Sequence, residues 1–114
     1  MKILVTGTTG FVGSHLIEKL KETKHQIICL ERYVSGRQIE GENTHIVHAD
    51  LNDHVAIKGI LQQEQPEVVI HLAALSPVAY SYQHWNEVIE TNFTATANLA
   101  ELCRTQIRNF GLFL

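Results

Sequence analysis

Apolar residues gather in five short runs along the chain, with amphipathic stretches between them. Lys2-Ile3-Leu4-Val5-Thr6, Gln26-Ile27-Ile28-Cys29-Leu30, His45-Ile46-Val47-His48-Ala49, Val68-Val69-Ile70-His71-Leu72 and Asn109-Phe110-Gly111-Leu112-Phe113-Leu114 are five or six residues each. Runs this short, rich in Ile and Val, predict strands. After the first run, Val12, Leu16 and Leu20 recur at i, i+4 and i+8 with Ile17 beside them, which predicts a helix starting near Phe11. Asn52 or Asp53 can cap a second helix to about Gln63, its apolar side formed by Val55, Ile57, Ile60 and Leu61. Pro66 ends that stretch. A long third helix is predicted from about His84 to Arg104, using Val88, Ile89, Phe93, Ala97, Leu99, Ala100 and Cys103. Ser35, Gly36, Gly41 and Asn43 mark the segment 33–43 as loop, with room for a short helical turn.

Strands alternating with helices predict an α/β fold with a parallel sheet. Right-handed crossovers leave few topologies, and the expected strand order is 3-2-1-4-5, a Rossmann-like sheet with flanking helices. That is one and a half mononucleotide-binding units. A length of 114 residues suits one small domain, 1–114, and is short of a complete dinucleotide-binding fold with a substrate domain.

Composition removes several classes of function. The net charge is -3 and the nine Lys and Arg are scattered, which argues against a nucleic-acid partner. No apolar stretch approaches the ~18 residues needed to span a bilayer. The N-terminus has no signal-peptide pattern, so a cytoplasmic location is expected. Cys29 and Cys103 lack motif spacing and read as buried small hydrophobes. His45 and His48, three apart on a strand, point to opposite faces, and no Cys, Asp or Glu arrangement completes a metal-ligand set.

The first strand–helix junction carries the chemistry. Gly7-x-x-Gly10-x-x-Gly13 can form a phosphate cradle: Gly7 for a turn with positive φ, Gly10 for close approach of a pyrophosphate, Gly13 for close packing of the helix. The helix N-terminus beyond it, at Phe11 and Val12, offers unpaired N–H groups and a positive dipole end. Thr8 and Thr9 can add hydroxyl donors. The bland alternative is a glycine-rich turn and nothing more. Glu31, eighteen positions after Gly13, ends the second strand, where a carboxylate accepts from ribose hydroxyls and repels a 2′-phosphate. It favours NAD; the guanidinium of Arg32 leaves NADP open. Asp50, after the third strand, can accept from an adenine amino group with Leu51 against the ring, or it can be an ordinary turn or cap residue. After the fourth strand, Leu72, Ala73 and Ala74 leave room for a cofactor, and Ser76 can bond a ribose or a substrate. His71 reads as a packed, hydrogen-bonded histidine in preference to a catalytic base. Asn92 needs partners if buried, and can brace a strand or touch the cofactor; the alternative is an exposed position.

Together these segments resemble the extended short-chain dehydrogenase/reductases, the NAD-dependent epimerases and dehydratases of sugar nucleotides. "VTGTTGFVGSHL" is similar to that family's glycine loop, Asp50-Leu51 to its adenine contact, and "HLAALS" with Asn92 to its fourth-strand and helix motifs. Within the family, "HLAALSPVAYSYQHW" is most like the 4,6-dehydratases, those acting on GDP-mannose in particular. The resemblance implies a nucleotide-sugar substrate for the full-length protein; a homo-oligomer is expected as well. It also implies hydride transfer between the nicotinamide and C4 of a hexose, with a Tyr activated by a Lys four residues on. The chain departs from the pattern: Trp85 replaces a Pro, Ala95 replaces a Gly, and no Tyr-x-x-x-Lys occurs. Tyr33, Tyr80 and Tyr82 are followed four residues on by Arg37, His84 and Asn86. No catalytic residue is therefore assigned. The expected role is the cofactor-holding, N-terminal portion of such an enzyme, inactive alone; the alternatives are a nicotinamide-cofactor sensor module and a folded fragment that binds nothing. "NFGLFL" is an apolar edge strand, and self-association through it or the adjoining helix is expected.

Overall fold

Five parallel strands line up in the order β3-β2-β1-β4-β5 in a computed structural model of the chain, which describes residues 1–32, 41–73 and 85–114. Most of the expected loop 33–43 lies outside the described residues. In chain order the elements are β1 (Lys2–Thr6), α1 (Phe11–Leu20), β2 (Gln26–Glu31), β3 (Thr44–His48), α2 (His54–Glu64), β4 (Val68–His71), α3 (Trp85–Ile89), a π-helical turn (Glu90–Thr94), α4 (Ala95–Gln106) and β5 (Leu112–Phe113). The central strand pairs Lys2 with Gln26 through Thr6 with Leu30 on one side, and Ile3 with Val68 through Thr6 with His71 on the other.

Period-two alternation splits the core into two layers. Leu4, Ile28 and Val69 face Ile57 and Leu61 of α2 and Leu99 and Cys103 of α4. Ile3, Val5, Ile27, Cys29 and Val68 face the other way, onto Ile17 of α1, with Leu16 and Leu20 beside it. Each fully buried aliphatic side chain is worth about 2 kcal/mol. Both cysteines are buried and outside any disulfide, and desolvation pushes the Cys103 thiol up to about 12. Asp53 caps α2, its carboxylate accepting from the Ala56 N–H at 3.2 Å. At the other end of α2, Gln65 takes a left-handed conformation with φ 47°. Its side chain donates to the Gln106 carbonyl at 2.8 Å and accepts from the Arg108 N–H at 2.9 Å, tying α2 to α4.

Three features differ from the sequence reading. The long helix from His84 to Arg104 is broken. A π-helical turn at Glu90–Thr94 separates α3 from α4, and residues such as Asn92 and Thr94 in that run are weak helix formers. The wider turn shifts the phase of the apolar stripe. Ala95, Leu99 and Cys103 are buried four apart, whereas Phe93 and Ile89 are exposed; Ala97, two positions from Leu99 within α4, faces away from the core by helix geometry. Val12 and Val55 are 63% and 84% exposed and belong to no core face. Strand β5 is shorter than the run 109–114, although Gly111 N–H still donates to the Glu67 carbonyl at 2.8 Å and Leu114 N–H to the Val69 carbonyl at 2.9 Å. Among the described residues, no helix is long and apolar enough to cross a membrane.

Candidate functional site

A parallel sheet brings the C-terminal ends of its strands to one edge, and the loops that leave them meet there. The loop after β1 turns at Gly7, whose φ of 74° lies in the region glycine adopts without strain. The turn closes with the Gly10 N–H donating to the Gly7 carbonyl at 3.2 Å. Its packing leaves no room for side chains at two of the three glycines. A Cβ on Gly7 would lie 2.6 Å from the Ala73 nitrogen and the Leu72 carbonyl carbon at the exit of β4. A Cβ on Gly13 would lie 2.0 Å from the Gly7 carbonyl oxygen, so α1 starts in direct contact with the turn. Gly10 is different: a Cβ there meets one atom, at 3.5 Å, and the residue is exposed.

Helix α1 opens toward solvent. Gly10 stands at its cap with no side-chain hydrogen bond, and no acidic residue lies in the first turn. The leading N–H groups of a helix have no intrahelical acceptor, so this end is suited to an anion. Thr9, Gly10, Phe11 and Val12 are all exposed around it. Thr8 is not the surface donor its sequence position suggests. It is buried, and its Oγ1 has no hydrogen-bond partner among the described residues.

Glu31 is the last residue of β2 and is only 3% exposed, while Arg32 next to it is exposed. The Arg32 Nε lies 3.2 Å from Asp50 Oδ2, and Asp50 Oδ1 accepts from the Asn52 N–H at 2.9 Å. Asp50 is thus a turn residue that also holds Arg32 across the ends of β2 and β3. Leu51 is half-buried and packs against the α2–α4 core layer. Leu72 and Ala73 leave β4 directly over Gly7. Asn92 is exposed on the π-helical turn and is not buried in an apolar helix. Ala74 and Ser76 lie outside the described residues. Among the described residues, no group of three or more His, Cys, Asp or Glu is placed to hold a metal ion.

Two residues of this edge went unnoticed in the sequence. Thr6 Oγ1 is 2.7 Å from His71 Nδ1, and His71 Nε2 is 2.8 Å from Thr96 Oγ1. Thr6 and His71 are register partners at the ends of β1 and β4. The predicted order makes those strands neighbours, but aligning them at their predicted last residues pairs Thr6 with Leu72, one position from the observed register. Nothing in the sequence marks Thr96, which the start of α4 brings in. His71 is the packed, hydrogen-bonded histidine expected, and burial holds its pKa below the ordinary value.

The sequence matches the NAD dependent epimerase/dehydratase family over residues 3–113. The chain belongs to that family. The dTDP-glucose 4,6-dehydratase of Escherichia coli is 36% identical over 112 residues, a match covering 91% of this chain and 31% of the relative. The UDP-glucose 4-epimerase of Caenorhabditis elegans is 26% identical over 127 residues, covering 96% and 36%. Among solved structures, the UDP-glucose 4-epimerase of Thermus thermophilus in complex with NAD superposes with a TM-score of 0.82 at 29% identity, covering 93% of this chain and 34% of that one. The chain spans about a third of the length of such relatives and corresponds to their N-terminal part. The family and the Rossmann-like fold are therefore the ones the sequence resembles.

Proposed function

We propose that this chain is the NAD-holding portion of a nucleotide-sugar epimerase or dehydratase. The observation that carries the reading is the glycine turn itself. Gly7 and Gly13 are packed so tightly that no Cβ fits, and the uncapped N-terminus of α1 stands over the exposed Gly10. Such a cradle fits a pyrophosphate, which the helix N–H groups and dipole would hold. Thr9, Phe11 and Val12 would flank it. Glu31 at the end of β2 would accept from the adenosine ribose, and a carboxylate there disfavours a 2′-phosphate, so NAD is preferred over NADP. Asp50 and Leu51 would border the adenine. Leu72, Ala73 and Ala74, with Ser76 and Asn92, would line the nicotinamide side.

Bound NAD supplies a hydride acceptor and donor; the residues of this chain bind and orient it. No residue here is assigned a catalytic role, because no tyrosine is followed four residues on by a lysine. The relatives named above use dTDP-glucose or UDP-glucose by name, and a nucleotide sugar is the proposed substrate class of the full-length protein. A specific GDP-mannose dehydratase, as "HLAALSPVAYSYQHW" suggests, stays a finer variant of the same proposal.

Calorimetric titration with NAD and NADP tests the reading. Saturable NAD binding, tighter than NADP, is the expected result. A chain that is folded by circular dichroism yet binds neither dinucleotide would refute it.

A further inference from the structure

The Thr6 hydroxyl is a junction. Its oxygen lies 3.0 Å from the Leu72 nitrogen and 3.1 Å from the Ala73 nitrogen, accepting from both N–H groups, and 2.7 Å from His71 Nδ1. A hydroxyl has two lone pairs and one proton. The two amides occupy the lone pairs, so the proton must go to His71 Nδ1. That nitrogen is then an acceptor and carries no hydrogen. The neutral ring holds its hydrogen on Nε2, which donates to Thr96 Oγ1 at 2.8 Å. The tautomer follows from counting donors and acceptors, and it makes a directed chain from α4 to β4: Nε2–H to Thr96, Thr6 O–H to Nδ1, and two backbone N–H groups to Thr6.

Among the described residues, three elements face the ring. β1 presents Thr6, α4 presents Thr96, and β5 presents the Phe113 ring at a centroid distance of 6.0 Å. The backbone N–H of His71 donates to the Leu114 carbonyl at 2.8 Å. Burial lowers the pKa of the imidazole, which favours the neutral form the chain requires.

This junction lies under the glycine turn. The Leu72–Ala73 peptide held by Thr6 is the surface on which Gly7 packs, with no space for a Cβ between them. Whatever fixes that peptide fixes the floor of the turn.

We propose that His71, locked as its Nε2–H tautomer between Thr6 and Thr96, is a positioning residue for dinucleotide binding. It sets the exit of β4 against the Gly7 turn and ties that setting to α4. The proposal rests on reading the glycine turn as a dinucleotide cradle.

The test combines two measurements on the protein and on Thr6→Ser, Thr6→Val and Thr96→Val. Nitrogen-15 correlation spectra of the imidazole read the tautomer of His71, and calorimetry reads NAD affinity. The wild type should show Nδ1 without a proton and Nε2 with one. Thr6→Ser should keep both the tautomer and the affinity. Thr96→Val, which leaves the Thr6 end intact, should keep the Nε2–H tautomer, remove the acceptor of that hydrogen and weaken NAD by about fivefold, the equivalent of one neutral hydrogen bond. Thr6→Val should mix the tautomers and weaken NAD by about tenfold or more, since the Ala73 N–H also loses its Thr6 acceptor and the Leu72 N–H keeps only the Thr6 carbonyl at 3.3 Å. A wild-type ring protonated on Nδ1 would overturn the proposal. So would a Thr96→Val protein whose tautomers mix, because the Thr6 end alone should hold the Nε2–H form. A wild type with the stated tautomer that binds no NAD would overturn the cradle reading, and this proposal with it; NAD binding that ignores Thr96→Val overturns this proposal alone.

Discussion

Replacing Gly13 by alanine separates packing from helix propensity, because the two make opposite predictions. Gly13 lies in the first turn of α1, and alanine is the better helix former by about 1 kcal/mol in a helix interior. On propensity alone the variant should be more stable. The structure says otherwise. The new Cβ would sit 2.0 Å from the Gly7 carbonyl oxygen, 2.8 Å from its carbon and 2.9 Å from the Thr8 Cα. All three are backbone atoms, so no side chain can swing aside. Reaching an ordinary contact of 3.4 Å requires the helix and the turn to part by about 1.4 Å. Overpacking of this kind costs about 3 kcal/mol, which leaves a net loss of about 2 kcal/mol after the propensity gain. For a chain of this size that is a fall in Tm of about 8 °C. Urea and thermal unfolding measure it, with two control glycines. Gly59 lies in α2 with nothing within 4 Å of its Cβ position, so Gly59→Ala should gain about 1 kcal/mol. Gly10→Ala meets only an ordinary contact at 3.5 Å and should leave stability nearly unchanged while weakening NAD, because its methyl projects where the pyrophosphate is proposed to lie. A Gly13→Ala protein as stable as the wild type would refute the packing argument.

Acid should destabilise the fold through His71. Its folded pKa lies below the unfolded value of about 6.5, so the unfolded chain binds more protons. The contribution is complete above pH ~6.5 and is lost as pH falls from there through the folded pKa; unfolding midpoints from pH 8 to pH 5 should drop, and less steeply in His71→Phe. An equal slope in both proteins would assign the effect elsewhere. Asp50→Asn keeps an oxygen for the Asn52 N–H but removes the charge that holds Arg32. Loss of the Asp50 charge makes a 2′-phosphate the better anionic partner for the guanidinium, so the ratio of NADP to NAD affinity should rise by about tenfold, and an unchanged ratio in parallel titrations would sink the idea. We also propose self-association along β5, where Leu112 and Leu114 are exposed and β4 is the one neighbouring strand among those described. Sedimentation should show concentration-dependent dimers that Leu112→Lys abolishes; a monomer throughout would count against it.

Some of this fold was legible because one physical signal decided it. Val5 and Ile28 sit in runs too short for a helix and too apolar for a loop, and each is a buried strand residue. Gly7 needed positive φ, and the residue type showed it. Elsewhere two signals competed. Val12 and Val55 fit an apolar helical stripe, yet both face solvent, because a stripe gives a face and not what covers it. Likewise the stripe from Val88 to Cys103 assumed one unbroken helix, and a single extra residue in a π-helical turn rotated Phe93 out to solvent.

The candidate site divides in the same way. The sequence by itself determined the parallel sheet, its order and the glycine turn, since each depends on local periodicity, on a residue's allowed φ and ψ, or on the handedness of crossovers. Only the tertiary structure decided that Asp50 holds Arg32, that Thr8 turns inward, and that Thr6, His71 and Thr96 form one chain of hydrogen bonds. Those groups are separated by up to 90 positions, from Thr6 to Thr96. A hydrogen bond depends on distances of a few tenths of an ångström, and packing sets these only after the strands have found their register.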